Sequence, residues 1–89
     1  MNPDQLRALI LDVVGSVAPD ADLGGIDSSA SFHDQFGIDS VDFLNIMMAL
    51  EARLGISIPE ADYPHLASLD GCMTYLQASL VEEAPAGST

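Results

Sequence analysis

The sequence predicts an all-α fold: a four-helix bundle with a long first loop and a short third helix. Three observations predict it. Apolar residues recur at three- and four-residue steps over three separate stretches, the spacing that places them on one helix face. Tryptophan is absent and aromatics make up only 6% of the chain, so the core must be aliphatic, which favours helices over a sandwich. Between the first and second periodic stretches, Ala18 to Asp39 is rich in turn-forming residues and reads as a connection. With 89 residues the chain suffices for one small domain with a modest core.

The first helix is expected from Asp4 to about Val17. Leu6, Leu9, Ile10, Val13, Val14 and Val17 form its stripe, Asn2 its N-cap and Pro3 its first position, and Pro19 ends it. The long connection contains Pro19, Gly24, Gly25, Asp27, Ser28, Ser29 and Ser31, with Leu23, Ile26, Phe32 and Phe36 as its expected anchors and one short turn expected from Phe32 to Gln35. The second helix is expected from Ser40 to Leu54. Phe43, Ile46, Met47, Leu50 and Leu54 share one face, assigned to the core. Val41, Leu44 and Met48 fall nearly opposite, so this helix carries a second apolar stripe that must be covered or dock a partner. Gly55 is a suitable residue just past its end. A short third helix is expected from Pro59 to Tyr63, capped near Ser57 or Ile58 and limited by Pro64. Ser68 caps the last helix, whose stripe is Leu69, Cys72, Met73, Leu76 and Leu80; Gly71 weakens it by about 1 kcal/mol relative to Ala. The domain is assigned to residues 1–82, and 83–89 are expected to form a flexible tail.

The formal net charge is -12, with Arg7 and Arg53 as the only Lys or Arg residues. Such a surface repels nucleic acid and anionic membranes, and it attracts partners with basic patches. The single cysteine excludes an internal disulfide. The first residues lack a basic segment followed by an apolar one, and no apolar run could span a bilayer, so a monomer in a reducing cytoplasm is expected, without membrane insertion.

Few catalytic constellations are available. A nucleophilic serine needs a base held against it, and the histidines, His33 and His65, are both expected as solvated loop residues. Asp20, Asp22 and Asp27 lack the spacing of a calcium loop, so no metal site is assigned. Cys72 lies on an apolar stripe and is expected to be packed rather than reactive. Ser40 remains, between Asp39 and Asp42, and on local grounds either Ser40 or Asp39 serves as the cap of the second helix. No catalytic residue is assigned, and the chain is expected not to be an enzyme.

The context of Ser40 carries more. Ala30-Ser31-Phe32-His33-Asp34-Gln35-Phe36-Gly37-Ile38-Asp39-Ser40-Val41-Asp42 resembles the segment of acyl carrier proteins that holds their phosphopantetheine attachment serine. That family's pattern is an apolar loop residue, an apolar-Gly pair, a variable residue, and then Asp-Ser-Leu. Met48-Ala49-Leu50-Glu51 and Leu54-Gly55-Ile56-Ser57-Ile58-Pro59 resemble the end of the family's second helix and the turn beyond, and Ser68-Leu69 with Tyr75-Leu76 resemble its last helix. The resemblance covers Phe32 to Leu76, and the first helix by pattern only, and agrees with the predicted bundle.

The resemblance implies a 4'-phosphopantetheine arm on Ser40, installed from coenzyme A by a phosphopantetheinyl transferase that recognises Asp39. It further implies acyl groups held as thioesters in fatty acid or polyketide-type biosynthesis. Val41, Asp42, Leu44, Met48 and Glu51 would form the docking face for acyl-loading and acyl-transferring enzymes with basic patches. A free-standing aminoacyl or peptidyl carrier and an unmodified helical adaptor are the alternatives. Against the family pattern, Asn45 stands where many members have Glu, Val41 replaces the usual Leu, Phe43 is bulky beside the attachment point, and Pro64 in the third helix is unusual.

Overall fold

The computed structural model describes the backbone of residues 1–88 and the side chains of residues 1–80. It contains α1 (Pro3–Val17), α2 (Phe32–Phe36), α3 (Ser40–Leu54) and α4 (Leu69–Ser88), with a 3-10 turn at Leu23–Gly25 and a 3-10 helix at Glu60–Leu66. The predicted bundle is present, its four members being α1, α3, the 3-10 helix and α4. α1 packs on both α3 and α4, and the 3-10 helix packs on α4.

α1 starts where its cap chemistry places it. Asn2 Oδ1 accepts from the Gln5 amide at 2.8 Å, and the Asn2 amide donates to Gln5 Oε1 at 3.1 Å, a reciprocal capping box. Leu6, Ile10, Val13 and Val14 are buried, while Leu9 and Val17 lie at the core's edge. Arg53 on α3 pairs with Asp12 on α1 at 3.0 Å, an exposed contact of small energetic weight.

The long connection is pinned rather than loose. Gln35 spans it, donating from Nε2 to the carbonyls of Asp27 (2.8 Å) and Ala30 (3.0 Å) and accepting from the Asp27 amide (3.0 Å). Two backbone bonds tie it to the far end of the domain: the Asp70 amide to the Ser28 carbonyl and the Phe32 amide to the Ala67 carbonyl. Phe32 is fully buried and stacks on Phe36, and Leu23 and Ile26 pack against the core, as expected of all four. The short turn near Phe32 is the five-residue α2, capped by Ser31 Oγ. Gly37 ends α2 at φ +65, a left-handed conformation that admits glycine at little cost. The chain then turns Ile38 into the core. Ile38 is an anchor without a periodic partner, which is why its pattern did not mark it.

The third helix departs from expectation in two ways. It runs through Pro64 to Leu66, and its N-cap, Pro59, makes no side-chain cap bond, so neither Ser57 nor Ile58 caps it. The 3-10 helix runs through Pro64, whose fixed φ is compatible with it. Buried Ile56, Ile58 and Leu66 hold the segment at both ends.

α4 begins at the Ser68 cap, whose Oγ accepts from the Gly71 amide at 3.1 Å. Leu69, Cys72 and Leu76 are fully buried, with Met73 and Leu80 packed beside them. The α4 backbone is helical into the stretch assigned as a tail; side chains from residue 81 onward lie outside the described residues.

Gly71 has a reason beyond local propensity. A Cβ at this position would collide with the backbone carbonyl of His65. The 3-10 helix and α4 therefore approach each other closely at Gly71.

Candidate functional site

Asp39, not Ser40, caps α3. Its Oδ1 accepts from the Asp42 amide at 2.9 Å, and its own backbone is extended. Ser40 is the first residue of the helix, exposed, and its hydroxyl makes no hydrogen bond to the described residues. The amides of Ser40 and Val41 belong to the first turn and have no partner within the helix. Ser40 thus sits at the positive end of a fifteen-residue helix with a free hydroxyl.

Beside Ser40 lies an open groove of about 560 Å³, within the size range of small-molecule sites. It is bounded by His33 of α2, by Ser40, Phe43 and Leu44 of α3, by Glu60, Tyr63 and Pro64 of the 3-10 helix, and by Ala67. The sequence reading marked neither His33 nor Tyr63 as part of this region. His33 is not a solvated loop residue. It is half-buried, and its Nδ1 donates to the Ile38 carbonyl at 3.0 Å. No hydrogen bond joins His33 to Ser40. Burial, reinforced by the nearby carboxylates of Glu51 and Glu60, holds the Tyr63 phenol above its ordinary pKa. His65 is exposed on the 3-10 helix.

The second apolar stripe of α3 is uncovered. Val41 is 65% exposed, Met48 56% and Leu44 42%. At about 100° per residue, Asp42 flanks the stripe on one side and Glu51 on the other. Asp42 is half-buried beside the Val17–Asp22 segment. Glu51 is half-buried too, and its Oε2 accepts from the Ile58 amide at 3.0 Å, so this carboxylate also braces the turn after α3.

Two further acidic residues serve turns. Asp22 caps the Leu23–Gly25 turn by accepting from the Gly25 amide at 3.2 Å. Asp27 accepts from the hydroxyl and amide of Ser29, which lower its pKa. Among the described residues no group of three His, Cys, Asp or Glu is placed to hold a metal ion, and no helix is long and apolar enough to cross a membrane.

Cys72 is buried and its thiol donates to the Leu66 carbonyl at 3.2 Å. Burial pushes its pKa up to about 12 from an ordinary 9.0. The folded chain therefore holds a proton that the unfolded chain releases, and stability must fall as pH rises from about 9 towards 12. The urea midpoint of the wild type is expected to drop across this interval more steeply than that of Cys72→Ala. The native thiol should also resist a thiol-specific reagent until denaturant is added. Equal pH slopes for the two proteins would contradict this assignment.

Fold and site together describe a small helical domain that presents one helix face, with a free serine at that helix's start. Known proteins of this kind are similar to it in sequence. The family described as phosphopantetheine attachment site matches residues 4–72. An acyl carrier protein of Campylobacter hominis is 31% identical over 74 residues, covering 83% of this chain and 87% of the relative. Polyketide-8 synthase acyl carrier protein 2 of Streptomyces avermitilis is 30% identical over 80 residues, covering 90% and 86%. A mitochondrial acyl carrier protein of Neurospora crassa is 28% identical over 76 residues, covering 85% of this chain and 57% of the relative. The chain belongs to the acyl carrier protein family, whose phosphopantetheine-binding domain carries a covalently attached 4'-phosphopantetheine. Members of this family are carriers of acyl groups rather than catalysts.

Proposed function

We propose that Ser40 is the attachment point of the 4'-phosphopantetheine arm, and that the chain carries acyl intermediates of fatty acid or polyketide-type biosynthesis. The observation that carries this reading is the division of labour at the start of α3: Asp39 caps the helix, which leaves the Ser40 hydroxyl exposed and unbonded. When attached, the group supplies a thiol that holds the acyl chain as a thioester. The chain's own residues fit that role. Its only thiol is buried and protonated, so it does not compete for acyl groups. The free amides at the start of α3 and the helix dipole favour the negative phosphodiester on Ser40. Among the described residues no base is held against Ser40, which suits a serine activated by a separate transferase. Asp39 is the residue that transferase recognises.

The working unit is residues 1–82, acting as a monomer in the cytoplasm. Partner enzymes dock on Val41, Leu44 and Met48. The flanking carboxylates of Asp42 and Glu51 steer the basic patches of these partners, apolar contact supplying affinity and charge supplying encounter rate.

Two experiments test these assignments. Trypsin cuts this chain after Arg7 and Arg53, so after incubation with coenzyme A and a transferase a single adduct is expected on the 8–53 peptide, with fragmentation placing it on Ser40. An adduct on another serine would overturn the assignment. For docking, Leu44→Ala and Met48→Ala should each lower the transferase's kcat/KM about fivefold, the loss of roughly 1 kcal/mol of interface contact. Because both side chains are largely exposed, melting temperature should barely change. A large drop in melting temperature would show instead that this face supports the core.

A further inference from the structure

The groove beside Ser40 is lined by aromatic rings. Three rings lie in sequence across it: His33 and Phe43 with centroids 5.1 Å apart, then Phe43 and Tyr63 edge to face at 5.9 Å. His33 is fixed by its bond to the Ile38 carbonyl, and Phe43 is 8% exposed. Ile46, Met47 and Leu50 on the core face of the same helix have no exposure at all. A chain attached at Ser40 thus meets a ring cluster rather than an opening into the aliphatic core. The groove is mostly apolar but carries polar groups in its lining. Leu44, Pro64 and Ala67 give it apolar surface, but Glu60 lies at its edge. Among the described residues, the Tyr63 hydroxyl and the second nitrogen of His33 find no hydrogen-bond partner.

We propose that the His33–Phe43–Tyr63 ring cluster keeps the tethered acyl group outside the core, and that the groove selects for oxygenated acyl groups, whose keto or hydroxyl oxygen bonds the free polar atoms of Tyr63 and His33. This rests on the reading of Ser40 as the attachment point. A saturated chain in an open groove stays partly in water and gains only part of its possible burial energy. It also takes water from polar groups without replacing the hydrogen bonds. An oxygenated chain of the same length replaces them, so the two cargoes differ in the interactions they make with the same residues. Phe43 is the size-determining residue, and Tyr63 the residue that reads the oxygen.

The test loads the full chain from octanoyl- and β-oxooctanoyl-coenzyme A with a transferase that accepts acylated donors, intact mass verifying each load. Melting temperature and amide NMR shifts are then compared with the protein carrying the bare arm. With octanoyl, the amides of Ile46 and Leu50 and the melting temperature are expected to stay at their bare-arm values. With β-oxooctanoyl, the amides of Tyr63 and Ala67 are expected to move. Tyr63→Phe, which keeps the ring and the fold, should lose those movements. Phe43→Leu should gain octanoyl-dependent shifts at Ile46 and Leu50. An octanoyl load that raises the wild-type melting temperature and moves Ile46 and Leu50 overturns the ring-cluster proposal while leaving Ser40 as the attachment point. Equal groove shifts for both cargoes, or no effect of Tyr63→Phe, overturn the oxygen selection. Absence of any adduct by mass overturns the attachment reading and this inference with it.

Discussion

Ser40→Ala is expected to abolish arm attachment completely while leaving the fold almost untouched. The first half follows from chemistry, since alanine has no oxygen to esterify. The second half follows from the cap. Asp39 holds the Asp42 amide, and the Ser40 hydroxyl holds nothing. Alanine is also the better helix former, so the stability change should lie within about 0.5 kcal/mol of zero. Asp39→Ala should behave differently, losing about 1 kcal/mol with the cap. Urea unfolding of the two variants, with a mass measurement on each, separates a structural serine from a functional one. If Ser40→Ala were the costly change and Asp39→Ala the silent one, Ser40 would be the cap after all.

The second large effect is expected at Gly71, and it is one of stability. Helix propensity alone would favour Gly71→Ala by about 1 kcal/mol. The contact with the His65 carbonyl reverses the sign, because the atom in the way is backbone and cannot swing aside. Either the 3-10 helix or the start of α4 must shift. Leu66, Leu69 and Cys72 are fully buried at that junction, so the shift disrupts packing on both sides. A net loss of about 2 kcal/mol is expected, typical of overpacking a tight site. That corresponds to a melting temperature lower by about 10 °C in a domain of this size. The groove should change too, since Glu60, Tyr63 and Pro64 ride on the displaced segment. A melting temperature that rises would show that the two helices do not meet as closely as described.

Much of this fold is legible before folding because its information is local. The stripe of α1, its Asn2 cap, the core face of α3 and the Ser68 cap each rest on residues within a turn or two of one another. The exposed stripe of Val41, Leu44 and Met48 is legible for the same reason, since helix geometry alone separates it from the core face. What sequence spacing does not carry is contact between distant segments. His33 meets Phe43 and Tyr63 only once three elements are assembled. Gly71 reads as a weak helix position until the His65 carbonyl is placed against it. The choice between Asp39 and Ser40 as cap depended on one side-chain bond to the Asp42 amide, which two adjacent cap-forming residues leave open. Pro64 reads as a terminator under α-helix rules, and the segment adopts a 3-10 helix that accommodates it.

Glu51 illustrates a further limit. Its position on α3 marks it as a charge beside the apolar stripe, but its bond to the Ile58 amide gives it a second task in shaping the turn that leads to the 3-10 helix. Charge at a position and availability of that charge are separate properties, and only the second depends on tertiary structure.

The most direct test of the central claim is the intact mass of the wild-type chain before and after incubation with coenzyme A and a phosphopantetheinyl transferase. The predicted result is one phosphopantetheine unit per chain, with no further addition on longer incubation, and none on Ser40→Ala under the same conditions. A wild-type chain that gains no mass with several transferases active on other carriers would contradict the account.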